Sequence, residues 1–243
     1  MTQLQRKIFL TARWENLVMV NYQVQPELLQ PFLPRFTELD TFEGKHLISL
    51  VGFMFRDTKV FGVKWPWHTH FEEVNLRFYV KHFDGQKWKR GVVFISEIVP
   101  SPIIAIMANK LYHEAYKAMP MKHGMELRQG LLSLNYGWKY RNNWNTLEVS
   151  ASASLNSIIK GSEEEFIFEH YWGYNRYDAA TTVEYGVEHD VWQVQKITNW
   201  RVNCDFAGLY GAQFKHLASA EPSSVLMAKG SPVIIRKPVF LRS

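Results

Sequence analysis

Cysteine is nearly absent from this chain. Cys204 is the only one among 243 residues, so an internal disulfide is impossible. A chain without disulfides is typical of a reducing compartment. The chain also lacks a signal-peptide-like apolar stretch at its start, and no later apolar run is long enough to span a bilayer. These absences predict a cytoplasmic protein with no membrane partner.

Dense charge of one sign is also missing. The formal net charge is +5 and the isoelectric point is about 9.2, but Lys and Arg are scattered along the chain. Their densest patch, "KWKRG" at residues 87–91, is typical of the charged end of a hairpin. A nucleic-acid-binding module would show a basic and aromatic signature, which this chain lacks. We therefore expect no nucleic-acid partner.

The composition is that of a folded protein with a large core. Apolar residues make up 47% of the chain and aromatic residues 15%, with nine Trp, which excludes disorder. No segment has the composition of a flexible linker, and no internal repeat is visible. We therefore expect a single domain over residues 1–243.

Strand patterns dominate the chain, and two segments favour helices. The stronger helical pattern covers residues 101–119, with Pro102 in its first turn and Pro120 after its end, and the weaker one covers 204–217. A closing hairpin is predicted around Gly230, within residues 223–238. The segments with strand patterns are 14–24, 45–63, 71–80, 91–99, 130–141, 145–155, 164–177 and 181–200.

One strand has an unusual pair of faces. In "HFEEVNLRFYV", residues 70–80, alternate positions form one apolar face of Val74, Leu76, Phe78 and Val80. The opposite face carries polar side chains between aromatic ones: Phe71, Glu73, Asn75, Arg77 and Tyr79. Either this second face is a solvated ladder, whose ion pair contributes only about 0–1 kcal/mol, or it lines a polar cavity.

Several segments carry a resemblance to a known family. "WENLVMVNYQVQPELLQPFLP", "LDTFEGKHLISLVGFMF", "FEEVNLRFYV" and "RGVVFISEIVP" follow one another in this order, and "EEFIFEHYWGYNRY" and "VEHDVWQV" come later. Together they resemble the YqjF-like family of uncharacterised conserved proteins, in the acetoacetate decarboxylase-like superfamily. The resemblance implies a mainly β fold: a closed, curved antiparallel β-barrel with two or three packed helices and a small-molecule pocket.

This resemblance favours the cavity for the polar strand face, because alternate residues of a barrel strand face its interior. Glu73, Asn75 and Arg77 are then predicted to bind a ligand. A buried Arg77 needs a charged partner, and Glu73 is the nearest in sequence. If the two were paired, Arg77→Met would strand Glu73 at a cost of about 3–5 kcal/mol.

Three further residues are ligand-binding candidates. Tyr171 and Tyr174 lie in the aromatic run "EHYWGYNRY", which would either wall the pocket or belong to the ordinary core. His189, in "VEHDVW", is the histidine best placed for acid–base work. A structural role for this imidazole is the competing interpretation.

The catalytic lysine pair of the superfamily is incomplete here. Acetoacetate decarboxylases form a Schiff base through a lysine activated by an adjacent lysine, in a proline–lysine–lysine run after a helix. The similar run here is Pro120, Met121 and Lys122, and the chain contains no Lys-Lys pair. A thioether cannot form an imine, so we expect no Schiff-base decarboxylation, although Lys122 remains a candidate.

No metal site or cofactor is expected. His68, His70 and Glu72 alternate as two histidines and a carboxylate do at some metal sites, but ligands along one straight strand splay apart. Solvated or packed side chains explain them better. Cys204, beside Asp205, is better explained as a small apolar residue opening a helix than as a nucleophile.

Two function classes remain open. The first is a barrel that binds a small, anionic, carboxylate-bearing molecule without chemistry. The second is an enzyme, a lyase or hydrolase, acting on a small keto acid or carboxylate, with Glu73, Arg77 and Lys122 as candidate catalytic residues. Self-association into a homo-oligomer is compatible with both.

Overall fold

The structure is a computed structural model that describes residues 6–66 and 68–242. Fourteen strands and four α-helices form within these ranges. The strands are β1 (Ile8–Val24), β2 (Glu38–Leu39), β3 (His46–Val60), β4 (Phe71–Phe83), β5 (Trp88–Val99), β6 (Tyr116–Ala118), β7 (Met121–Arg128), β8 (Leu131–Tyr140), β9 (Asn143–Ser157), β10 (Trp172–Arg176), β11 (Thr181–His189), β12 (Gln193–Asn203), β13 (Ser224–Arg236) and β14 (Val239–Arg242). The α-helices are α1 (Pro26–Leu29), α2 (Pro102–Tyr112), α3 (Glu163–Phe168) and α4 (Phe206–Tyr210), and short 3₁₀ helices cover Gln30–Phe32 and Ala212–Ala218.

Seven of these strands close into a barrel, which confirms the predicted mainly β fold. Around the barrel the order is β11, β10, β5, β4, β3, β1 and β13, and β13 pairs back to β11 at Val187–Ile235. The pairing of β10 with β5 is parallel, so the barrel is antiparallel except at that seam. From β13 the sheet continues outward through β12, β9, β8 and β7.

The apolar face of β4 lies outside the barrel and is covered by that outer extension. Val74, Leu76, Phe78 and Val80 are all fully buried. They share one core cluster with apolar residues of β8, β9, α4 and the 3₁₀ helix Ala212–Ala218. The apolar back of this strand is therefore explained by a second layer of sheet and helix, and its other face is turned to the barrel interior.

The predicted helix over residues 101–119 ends earlier, at Tyr112. Pro102 opens it as expected, but His113 adopts a left-handed conformation (φ 54°) and stops it. The Asn109 side chain then bonds both the N–H and the C=O of Tyr116, at 2.8 and 3.0 Å, which holds the following chain extended as β6. The predicted helix is confirmed as far as Tyr112, and Tyr116–Ala118 of the remaining residues form a strand.

The predicted strand over residues 164–177 was wrong in its first half, which forms helix α3. Ser162 caps that helix, because its hydroxyl accepts from the Glu165 N–H at 3.2 Å while the Glu165 side chain bonds back to the N–H of Gly161. This is a capping arrangement of the Ser-x-x-Glu type, and "SEEE" is its signature in the sequence. The acids of the first turn also suit the positive end of the helix dipole.

The predicted hairpin around Gly230 is also wrong, since β13 runs through it as one strand. Gly230 has a φ of 86°, and a Cβ there would lie 1.9 Å from the carbonyl oxygen of Trp14. Asn16, close to it on the paired strand β1, also has a positive φ. The glycine therefore lets two long strands bend together around the barrel.

Within the described ranges, no helix is both long and apolar enough to cross a bilayer.

Candidate functional site

The polar face of β4 lines the interior of the barrel. Phe71, Glu73, Asn75 and Arg77 all border one cavity of about 130 Å³. Glu73 and Asn75 are almost completely buried, and Arg77 is 9% exposed. The strand alternation thus brings three of the predicted ligand-binding residues together, and their binding role stays a prediction.

A β-bulge in β5 adds a second carboxylate to this cavity. Leu76 pairs with Ser96 but Arg77 pairs with Phe94, so Ile95 has no partner on β4. Before the bulge Phe94 faces the cavity, and after it Glu97 does, opposite Asn75. Without the extra residue Glu97 would stand opposite Val74, on the outer face, because a one-residue shift reverses every side chain.

The chain after α2 supplies a third carboxylate. Glu114 follows the left-handed His113, and Tyr116 follows on β6, so the end of this helix aims both side chains into the cavity. The Tyr116 hydroxyl donates to Glu73 Oε2 at 2.9 Å. Glu114 accepts from the Tyr185 hydroxyl of β11 and from Asn175 Nδ2. Three elements far apart in sequence therefore meet around one polar cluster.

The remaining walls of the cavity are apolar and largely aromatic. They include side chains of the barrel strands, of helix α2 and of the loop between β3 and β4, among them Trp14, Phe53, Phe55, Phe94, Ile104 and Trp65. Phe55 and Phe71 stack with their ring centroids 4.6 Å apart. Trp65 and Ile103 border the cavity and are also exposed, at 51% and 55%, so they mark its outer end.

Burial perturbs the three carboxyl groups. It raises the pKa of Glu73 to about 7, although hydrogen bonds from Asn75 and Tyr116 and the charge of Arg77 act in the opposite direction. Burial likewise raises the pKa of Glu114 to about 7. For Glu97, burial and then repulsion from Glu114 and Glu73 raise the pKa well above its ordinary value. At neutral pH the cavity therefore holds protonated and ionised carboxyl groups side by side.

Arg77 is not paired with Glu73, contrary to the expectation of a direct ion pair. Four residues along a strand span about 13 Å, which places the two side chains at different levels of the barrel. Among the described residues, the one hydrogen-bond contact of the guanidinium is Nη2 to Met19 Sδ at 3.5 Å, and its Nε has no partner. Asn75 lies between the two and donates to Glu73 Oε1 at 2.9 Å.

His170 borders the cavity beside the aromatic rings of Tyr79 and Phe166. Burial lowers its pKa to about 4, although the nearby Asp40 carboxylate acts in the opposite direction. Neither ring nitrogen has a hydrogen-bond partner among the described residues. The imidazole is therefore neutral at pH 7 and offers one donor and one acceptor.

Lys122 does not lie at the cavity. It is exposed on β7, in the outer extension of the sheet, with Nζ 4.3 Å from the centroid of the Trp144 ring. No lysine is found among the described residues that line the cavity. The one lysine of the incomplete motif is thus separated from Glu73 and Arg77 by the fold.

The other three candidates also lie away from the cavity lining. Tyr171 and His189 stack on one another, 4.7 Å between centroids, and His189 stacks in turn on Trp192. Tyr174 is fully buried on a different side and donates to Glu184 Oε2 at 3.2 Å. Tyr174 therefore belongs to the core, whereas Tyr171 and His189 belong to an aromatic stack with Trp192.

The two histidines and the carboxylate that alternate at the start of β4 have separate partners. His68 Nδ1 lies 2.8 Å from the Pro66 carbonyl oxygen, His70 accepts from the Asp57 N–H, and Glu72 pairs with His123 at 2.6 Å. Within residues 6–66 and 68–242, no group of three or more His, Cys, Asp or Glu is arranged to hold a metal ion.

Comparison with known proteins places the chain in a family and a fold. Residues 11–232 match DUF2071, described as an uncharacterized conserved protein. The uncharacterized protein YqjF of Bacillus subtilis (strain 168) is 23% identical over 188 residues, which are 75% of this chain and 73% of YqjF. The predicted resemblance to the YqjF-like family is thereby confirmed.

Solved structures share the fold at low identity. The enduracididine biosynthesis enzyme MppR with bound HEPES has a TM-score of 0.68 at 12% identity, over 99% of this chain and 90% of its own. An acetoacetate decarboxylase-like enzyme from Sphingomonas wittichii RW1 has a TM-score of 0.65 at 12% identity, over 98% and 94%. The acetoacetate decarboxylase of Legionella pneumophila has a TM-score of 0.63 at 11% identity, over 99% and 90%. MppR has also been solved with pyruvate.

Proposed function

Since this chain belongs to the DUF2071 family of uncharacterized conserved proteins and has an acetoacetate decarboxylase-like fold, we propose that its barrel binds a small carboxylate-bearing molecule. The ligand carboxylate accepts hydrogen bonds from Arg77, and the rest of the ligand lies against the aromatic wall. This assignment depends on the buried guanidinium more than on any other observation.

Arg77 supports the proposal because its hydrogen-bonding groups are left without suitable partners. A guanidinium has five N–H donors and remains charged at every physiological pH. Here it is 9% exposed, and its one protein acceptor among the described residues is a thioether. The guanidinium also lies over the Tyr79 ring, with Cζ 5.8 Å from the ring centroid, but no carboxylate is hydrogen-bonded to it among the described residues. A buried charge without a counter-ion is costly, so a site that keeps one is suited to an anion that arrives from outside. Carboxylates match the fork of the guanidinium with two hydrogen bonds.

The size and the apolar walls of the cavity support a small ligand with an apolar part. A buried water needs roughly 10–15 Å³ of cavity volume, so the cavity of about 130 Å³ admits on the order of ten waters, or a molecule of about ten non-hydrogen atoms. MppR, which shares the fold, has been solved with pyruvate, a small carboxylate, and this is a precedent from MppR only.

The test is carboxylate binding with and without the guanidinium. We expect 4-methylpentanoate or 3-phenylpropanoate to bind the wild-type protein in isothermal titration calorimetry. Arg77→Met is expected to weaken that binding by about 10- to 100-fold, because charge-assisted hydrogen bonds contribute about 1.5–3 kcal/mol. Arg128→Met is the matched control, since Arg128 is 80% exposed and pairs with Glu126 on the surface. Equal affinities for wild type and Arg77→Met would contradict the proposal.

A second candidate function is proton transfer on the bound molecule, and the differing pKa values of the carboxyl groups favour it. Paired acids whose environments separate their pKa values are the usual acid and base of an enzyme. In a keto acid, the Glu73 carboxylate would accept the proton from the carbon beside the carbonyl. Protonated Glu97 would donate its proton to the carbonyl oxygen, which yields the enol.

Reversal of this step in D₂O would place deuterium on that carbon. We expect ¹H NMR of 4-methyl-2-oxopentanoate to show exchange that is faster with wild-type protein than with Glu97→Gln. Equal exchange with both proteins and with buffer alone leaves binding without chemistry as the function.

A further inference from the structure

We infer that the ligand is an α-amino acid with an apolar side chain, whose carboxylate meets Arg77 and whose ammonium meets the carboxyl group of Glu97. This inference rests on the proposed function and goes beyond it. It adds a second charged group to the ligand and a second subsite to the cavity.

The charge balance of the cavity favours a ligand with a positive group. Three carboxyl groups, those of Glu73, Glu97 and Glu114, border it together with one guanidinium. The carboxyl groups of Glu73 and Glu114 accept hydrogen bonds from neutral donors only. Glu97 Oε2 is buried without a hydrogen-bond partner among the described residues. A lone anionic ligand would satisfy Arg77 and add a further negative charge beside these acids. A ligand that also carries an ammonium group satisfies both ends.

The order of these groups along the barrel also suits a zwitterion. Asn75 stands between Glu73 and Arg77 on β4, and Glu97 stands opposite Asn75 on β5. Arg77 and Glu97 are therefore diagonal neighbours on the two strands, and the backbones of such neighbours are ordinarily about 7–8 Å apart. The carboxylate and ammonium of an α-amino acid flank a single carbon, which suits two side chains that reach into the cavity from neighbouring positions.

The apolar wall of the cavity favours an amino acid with an apolar side chain. Trp14, Phe53, Phe55 and Phe71 border the same cavity and leave an aliphatic or aromatic side chain as the complementary group. Room for about ten non-hydrogen atoms corresponds to an amino acid near the size of leucine or phenylalanine.

This ligand has a measurable proton signature. The carboxyl groups of the cavity are partly protonated at pH 7 because burial raises their pKa values and, for Glu97 and Glu114, repulsion from neighbouring carboxyl groups adds to this. The other titratable or charged groups that border the cavity are the Tyr112, Tyr116 and Tyr185 hydroxyls, which stay protonated, neutral His170, His68 and the Arg77 guanidinium. An ammonium group beside Glu97 favours its ionised form, so binding releases protons to the buffer.

The experiment compares two matched sets of probes by isothermal titration calorimetry at pH 7. One set is leucine, 4-methylpentanoate and 3-methylbutylamine. The other is phenylalanine, 3-phenylpropanoate and 2-phenylethylamine. In at least one set we expect the amino acid to bind at least tenfold more tightly than the matched carboxylate or amine. Its apparent enthalpy should differ between phosphate and Tris because protons are released.

Variants separate the two subsites. Glu97→Gln should reduce the preference for the amino acid over the matched carboxylate to within threefold of unity, whereas Arg77→Met should weaken both. Glu126→Gln is the control, because this exposed side chain pairs with Arg128 away from the cavity.

The possible outcomes distinguish the amino-acid ligand from the carboxylate-binding function on which it rests. Carboxylates that bind as tightly as their amino acids overturn the zwitterion and leave the proposed function standing. Amines that bind best, with an affinity insensitive to Arg77→Met, overturn the proposed function. No binding by any of the six probes contradicts both.

Discussion

Replacing Glu73 by glutamine is expected to stabilise the unliganded protein at alkaline pH and to have little effect at acid pH. Glu73 is 2% exposed, and its carboxyl accepts hydrogen bonds from Asn75 and Tyr116, both at 2.9 Å. Glutamine has nearly the same shape and carries no charge to bury. The change therefore removes a buried ionisable group and keeps one acceptor for these donors.

The magnitude follows from the raised pKa of Glu73. Its folded pKa is about 7, well above its ordinary value of 4.5. At about 1.36 kcal/mol per pH unit, this carboxyl lowers the free energy of unfolding by up to about 3 kcal/mol at alkaline pH. A raised folded pKa means that the stability is fully present below pH 4.5 and is lost as the pH rises through about 7. Against a loss of about 1 kcal/mol for a weaker hydrogen bond, Glu73→Gln should gain about 2 kcal/mol at pH 8.5.

Urea denaturation followed by tryptophan fluorescence measures this directly, because the chain has nine Trp. Wild type, Glu73→Gln and the exposed control Glu126→Gln are compared at pH 4.5, 6, 7 and 8.5. The difference between wild type and Glu73→Gln should grow between pH 4.5 and 8.5, and the control should follow wild type. A Glu73→Gln protein that is equally or more destabilised at pH 8.5 than at pH 4.5 would refute the burial of an ionisable Glu73.

Three further outcomes are expected. Arg77→Met should raise the free energy of unfolding of the unliganded protein by about 1–2 kcal/mol, because it replaces an unpaired buried charge and does not strand Glu73; a loss of 3–5 kcal/mol in urea denaturation would restore the direct pair. Borohydride reduction with acetoacetate, followed by peptide mapping, should trap no adduct, since Lys122 is exposed away from the cavity; an adduct on any lysine would contradict this. Gly230→Ala should lower the free energy of unfolding by more than about 2 kcal/mol, because its φ is 86° and its Cβ would meet the Trp14 carbonyl oxygen; an unchanged melting temperature would count against this bend.

The sequence was sufficient where a pattern is local. The two-residue period of β4 predicted which side chains share a face, and the apolar face of Val74, Leu76 and Phe78 is indeed buried outside the barrel. Pro102 opens a helix as its fixed φ predicts. The closure of the barrel was predicted from the family resemblance, because the pairing of β11 with β13 joins segments that no local pattern connects.

Glu97, Glu114 and Tyr116 were not predicted as site residues, because their positions depend on strand register and on where helix α2 ends. Glu97 faces the cavity only because Ile95 is an extra residue in β5, and a regular pairing of β4 with β5 without this bulge places Glu97 outside the barrel. A lone acid in the apolar strand "GVVFISEIV" was the available signal. Glu114 and Tyr116 were hidden by a helical pattern assumed to continue to Pro120, whereas the left-handed His113 ends it.

The wrong elements had local signals that were outweighed. "SEEE" before the apolar run of α3 is a helix-capping signature, but the β-branched and aromatic residues that follow favoured a strand. Tyr171 was grouped with the pocket because aromatic residues often wall ligands, and His189 because it was the histidine best placed for acid–base work. Their stack on Trp192 instead lies outside the cavity lining, which only the three-dimensional arrangement reveals.

The most direct test of carboxylate binding at Arg77 is an electron-density map of crystals grown with leucine and, separately, with 4-methylpentanoate. The account predicts density inside the barrel with both ligand carboxylate oxygens within about 3.2 Å of the Arg77 guanidinium nitrogens. The alkyl group should lie against the aromatic wall that includes Phe53 and Phe71. Crystals in which both ligands are bound away from Arg77, or in which this guanidinium is paired with Glu73 and the cavity is filled, would contradict it.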